Sequence, residues 1–72
     1  MNESNDYIII DTRTGKGLEF CIAPMSGKPT FDFVTLERAT MFNLSDSWAC
    51  YQALQFIYGN EIINYLDVRK VI

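Results

Sequence analysis

The chain contains no histidine. That removes the commonest metal ligand and the usual general base near neutral pH. Cysteine is almost as scarce: Cys21 and Cys50 are too few and too far apart to read as a metal framework. Both are expected to be buried free thiols, Cys21 in a strand and Cys50 on the core stripe of a helix, with a disulfide as the alternative. Long apolar runs are missing too. The longest reach four residues, as at Tyr7 to Ile10, far short of the ~20 residues that span a membrane. The polar opening residues lead into no apolar signal segment. The expected setting is soluble, reducing and intracellular, with no membrane partner. In that setting the glycosylation patterns Asn2-Glu3-Ser4 and Asn43-Leu44-Ser45 carry no meaning.

Positive charge is sparse. Arg13, Lys16, Lys28, Arg38, Arg69 and Lys70 never cluster beyond a pair, so there is no basic stripe of the kind that neutralises phosphate. Direct nucleic-acid binding is therefore not expected. Nine acids bring the net charge to −3, and they are spread along the chain. A dense phosphate mimic is not favoured, although folding can gather acids on one face. Seventy-two residues make one domain, whose first six residues are expected to fray. A domain of this size buries a modest fraction of its surface and often supplements its stability by oligomerisation.

No catalytic apparatus is visible. Ser45 and Ser47 lack a histidine to activate them, and capping explains them. Asp46 and Glu61 would sit about 20 Å apart along a helix axis, too far to act on one bond. Gly15-Lys16-Gly17 lacks the spacing of a phosphate loop and reads as part of a hairpin turn. Arg69-Lys70 reads as a solvated strand end that discourages aggregation. No cofactor or metal is implied, and an enzyme is not expected.

What is present is a strand-rich chain with one helix. Tyr7–Asp11 is β-branched and reads as a strand. Residues 12–15 form a hairpin loop, with Gly15 in the left-handed region. The return strand is Leu18–Ile22, with Leu18, Phe20 and Ile22 facing one way and Glu19 and Cys21 the other. Pro24–Pro29 is a loop and Thr30–Leu36 a third strand, with Phe31 and Phe33 on one face. Glu37–Asn43 reads either as a short strand or as a single helical turn. Ser45 or Asp46 caps a helix that stops at Gly59-Asn60. The chain closes with a strand over Asn64–Ile72, in which Leu66 and Val68 alternate with Asp67 and Arg69; helical continuation through Glu61–Tyr65 is the alternative. The expected fold is α+β: a small antiparallel β-sheet of three to five strands with one α-helix on one face, in the order β-β-β-(β)-α-β. Leu18, Phe20 and Phe31 line the inner face.

The helix is the most informative segment. Residues 47–60 carry no charge. Wound as a helix over 46–58, Ala49, Cys50, Ala53, Phe56 and Ile57 share one stripe, which is expected to meet the sheet. Trp48, Tyr51, Gln55 and Tyr58 share the opposite one. A surface helix normally opposes charge to its apolar stripe; here one Trp and two Tyr stand instead, the residue types enriched at binding hot spots. These four are the candidate partner-binding residues. The stripe could be covered by the 23–30 loop, form a homodimer seam, or bind a foreign protein.

The motif string Tyr7-Ile8-Ile9, Thr14-Gly15-Lys16, Leu36-Glu37-Arg38-Ala39-Thr40 with Phe42, a helix containing Ala49 and Ala53, and a closing apolar strand resembles small accessory proteins of phages and prophages of Gram-positive bacteria. It spans roughly residues 7–72. The chain departs from that pattern at Gly17, where an aromatic is common, and in its helix, which is usually rich in Glu and Lys. The resemblance implies the same fold, a phage origin and no enzyme activity. It also implies action by binding a host protein, including components of CRISPR or other defence systems, and it assigns no residue roles. The expected function is thus a non-catalytic interaction module whose partner is a host or phage protein, inhibited through the aromatic face. The second reading is a nucleic-acid-associated or phosphate-mimicking protein acting through its acids.

Overall fold

The computed structural model describes residues 4–71. Met1 to Glu3 of the polar leader and Ile72 of the expected last strand lie outside them. Four strands form one antiparallel sheet: β1 (Tyr7–Asp11), β2 (Lys16–Ile22), β3 (Pro29–Val34) and β4 (Leu66–Lys70), in the spatial order β3-β2-β1-β4. A single long helix, α1 (Leu44–Tyr58), lies on one face. This is the expected small α+β fold. Two short 3-10 turns, Leu36–Arg38 and Asn60–Asn64, flank the helix in sequence. The second occupies most of the stretch for which helical continuation was the alternative, and the expected final strand follows it as β4. Among the described residues no helix is long and apolar enough to cross a membrane.

The hairpin between β1 and β2 closes as its residues require. The Asp11 carbonyl accepts the N–H groups of Thr14 and Gly15, and Gly15 has φ of 73°, a region an L side chain rarely enters. Just beyond the turn, β1 and β2 share only the ladder pairs Ile10–Gly17 and Asp11–Lys16. Then they part, and residues 39–42 fill the fork. The Thr40 N–H donates to the Leu18 carbonyl at 2.9 Å, and the Phe20 N–H donates to Thr40 Oγ1 at 2.8 Å. On the other side Tyr7 and Phe42 exchange both backbone hydrogen bonds, at 3.0 and 2.7 Å. The stretch that read as either strand or helical turn is both in succession: a 3-10 turn over Leu36–Arg38, then a bridge to β1.

Strand alternation builds the core. Ile9, Leu18 and Leu66 meet Leu54 from the helix and Phe42 from the bridge. Phe20, Phe31 and Phe33 pack around them half-buried, while Ile22, expected on the same inner row, is exposed. Ile8 and Ile10 alternate to the opposite face, where they are also buried beside their β4 partners Arg69 and Asp67. That pair is itself joined at 2.7 Å. Cys21 was expected to be buried; it lies toward the end of β2, alternating outward, and is exposed. Both cysteines are free, and burial pushes the half-buried Cys50 thiol up to about 11.

The helix differs from expectation in where it starts and how it is rotated. Asn43 is the N-cap, ahead of Ser45 and Asp46: its Oδ1 accepts the Asp46 N–H at 2.7 Å. Asn43→Ala is expected to cost about 1 kcal/mol, read as a lower urea midpoint; an unchanged midpoint would remove the cap from the account. At the far end Gly59, with φ of 92°, stops the helix as anticipated. The buried face consists of Ser47 and Leu54, with Cys50 and Tyr51 half-buried beside them. Of the stripe expected to meet the sheet, Cys50 and Ala53 are partly covered, whereas Ala49, Phe56 and Ile57 are exposed. The rotation follows Leu54, the one large aliphatic residue between the two apolar stripes. Ser47 tolerates burial because its hydroxyl donates to the Leu44 carbonyl at 2.7 Å.

Candidate functional site

Two exposed apolar surfaces result, one on each flank of α1. The first contains the four candidate residues. Leu44, Trp48, Tyr51, Gln55 and Tyr58 recur at alternating intervals of four and three, a single stripe along the helix. They are not equivalent. Tyr51 turns inward against the core, and its hydroxyl donates to the Ile63 carbonyl at 3.4 Å. Its ring meets Trp48 edge-on, with centroids 5.2 Å apart. Gln55 is half-buried and its Nε2 donates to Asn60 Oδ1 at 3.1 Å. Trp48 and Tyr58 remain 48% and 54% exposed. So Tyr51 and Gln55 hold the stripe in place, and Trp48 and Tyr58 are presented to solvent. The 23–30 loop lies on the other flank of α1, where its Pro29 lines a groove with Ala49 and Ala53.

At the helix C-terminus the stripe gains two residues that sequence periodicity did not connect to it. Arg13 and Tyr65 join Tyr58, Glu61 and Ile62 around a shallow cleft of about 240 Å³. The Arg13 guanidinium lies 4.0 Å from the centre of the Tyr65 ring, within cation–π reach. Asp11 fixes it from behind, accepting from the Arg13 backbone N–H at 2.9 Å and from its guanidinium at 3.3 and 3.4 Å. Burial alone raises the Asp11 carboxyl, but the hydrogen bonds and charge of Arg13, with the Thr14 N–H, outweigh it and hold the group below its usual value. Arg13 sits in the hairpin turn and Tyr65 just ahead of β4, so no period links them to α1. The available signal was residue type: Trp, Tyr and Arg are the anchors most common in interfaces.

The second surface is a groove of about 620 Å³ between α1 and the β2–β3 half of the sheet. It exists because α1 packs over β1 and β4. Phe20, Ile22 and Phe31 form its floor, Ala49 and Ala53 its helical wall, and Asp46 supplies a charge on that wall. Ala49 and Ala53, on the stripe expected to meet the sheet, instead border this opening.

The remaining candidates sit apart. Ser47 is buried in the helix, and Ser45, Asp46 and Glu61 are exposed. Gly15-Lys16-Gly17 divides between the turn and β2. Arg13, Arg38 and Arg69 each pair with a carboxylate, those of Asp11, Glu19 and Asp67. Among the described residues no group of three His, Cys, Asp or Glu is drawn together. No protein-family model, curated protein or solved structure matches this chain.

Proposed function

We propose that the chain is a non-catalytic protein-binding module, and that Trp48, Tyr58, Tyr65 and Arg13 form its partner surface. The observation that carries this reading is the aromatic stripe of α1, left uncovered at Trp48 and Tyr58 and extended by the anchored Arg13–Tyr65 pair. Such a surface offers rigid apolar area with polar edges, at little entropic cost on binding. Tyr51 and Gln55 belong to the surface as its supports. The resemblance to phage accessory proteins supports the finer reading: a protein of phage origin, acting in the bacterial cytoplasm by occupying a host defence protein and blocking it. The pairing of three of the six cations with carboxylates works against the reading as a nucleic-acid binder.

The test is affinity capture from a bacterial lysate with mass spectrometry, comparing the wild type with Trp48→Ser/Tyr58→Ser. Both positions are half exposed, so the double variant is expected to keep its circular dichroism spectrum and to lose the captured protein. A variant that retains the same partner at equal yield would overturn the assignment. Tyr51 is unsuitable for this purpose because its hydroxyl bond ties α1 to the 60–64 turn.

A further inference from the structure

The groove on the other flank of α1 invites a different occupant. One wall is the helix from Asp46 to Ala53. On the same helix face, one turn further, stands Phe56, 91% exposed. The chain therefore presents an apolar hollow and an apolar knob side by side on one element. We infer that a second copy of this chain fills the groove, with the two α1 helices antiparallel about a two-fold axis near Gln52 and Ala53.

The geometry is self-complementary. An axis midway between Gln52 and Ala53 sets residue 56 of one protomer opposite residue 49 of its partner. Each lies about 5 Å from the axis at 1.5 Å rise per residue. Phe56 then covers Ala49, in the middle of the groove's helical wall, and the partner's ring does the same in return. A closed two-fold contact requires this reciprocity. Small Ala49 and Ala53 let the helices approach, and the large ring fills the space beside them.

Charge and size agree with the pairing. Residues 47–60 carry no charge, so the central contact opposes no like charges despite the net charge of −3. A standard interface takes about 800 Å² from each partner, roughly a sixth of this chain's 5097 Å². A helix face about 22 Å long, with a two-stranded floor beside it, is of that order. The chain also has reason to pair: its buried apolar set centres on Ile9, Leu18, Phe42, Leu54 and Leu66, while Phe56, Ile57 and Ile22 stay exposed. Domains this small commonly supplement such a core by association.

Light scattering on a concentration series reads the outcome directly. The wild type is expected to run at twice the 8.3 kDa chain mass. Phe56→Glu and Ala49→Glu, both at exposed positions, are each expected to weaken the dimer at least about thirtyfold while leaving the circular dichroism spectrum unchanged. Trp48→Ser, on the opposite flank, is expected to leave it within about twofold, so the partner surface and this seam fail or succeed separately. A wild type that remains monomeric up to about 0.5 mM overturns the inference and leaves the groove to a foreign side chain. A folded Phe56→Glu variant that stays dimeric overturns it as well, by placing the seam elsewhere.

Discussion

Leu54→Ala is expected to remove about 3 kcal/mol of stability, within the range for a fully buried leucine. Leu54 has no solvent exposure and joins α1 to Ile9, Leu18, Phe42 and Leu66. It is also the residue that sets the helix rotation. Truncating it leaves a cavity where the helix meets the central strands and removes the preference that turns Trp48 and Phe56 outward. A domain of this length holds roughly 4–10 kcal/mol in all, so a large part of the native margin would go. Urea unfolding followed by tryptophan fluorescence measures it, since Trp48 is the only tryptophan. A loss below about 1 kcal/mol would mean that Leu54 is not the anchor of the helix.

Gly17→Ala is expected to cost about 2 kcal/mol. In an ordinary strand the same change helps, because glycine carries the larger entropic cost of ordering. Here a Cβ would come within 2.5 Å of the Ala39 Cβ and 3.4 Å of Leu36 Cδ2. Something must shift, and the neighbour is the segment whose Thr40 hydrogen bonds hold the fork between β1 and β2 together. Adding Ala39→Gly is expected to return more than half of the loss. A double-mutant cycle reads that coupling. If Gly17→Ala alone left the protein as stable as before, the close approach would not be real. The contact also accounts for a glycine at this position: no side chain fits beside Ala39 without a shift.

The sheet was legible because its cues are local. Three consecutive isoleucines, a Thr-Gly turn and the alternation of Leu66 and Val68 with Asp67 and Arg69 each depend on neighbours a few residues away. The helix was legible in extent and not in rotation. A core-facing stripe shows itself by contrast with a polar one, and α1 offers apolar side chains all round. Leu54 stands between the two stripes, and Ser47 passes for a polar surface residue until its bond to the Leu44 carbonyl is seen. The bridge at residues 39–42 was illegible for another reason. Its hydrogen bonds run to Leu18, Phe20 and Tyr7, and nothing in a short window announces a pairing across twenty or more residues. The same distance kept Arg13 and Tyr65 out of the proposed partner surface, whereas the spacing of Trp48 and Tyr58 on one helix stripe was plain.

Strand β1 draws its neighbours from three separate stretches: β2 at the hairpin, Phe42 at the bridge and β4 along its whole length. Of the four strands β1 is synthesised first, yet its outer edge stays open until β4 emerges behind the helix. Ile8, Ile9 and Ile10, whose ladder partners are Arg69, Val68 and Asp67, lack those neighbours until then. Such a topology closes late and all at once, through contacts far apart in sequence, which slows folding. The pairings available to β1 before β4 emerges are two ladder pairs to β2 and the bridge from Tyr7 to Phe42.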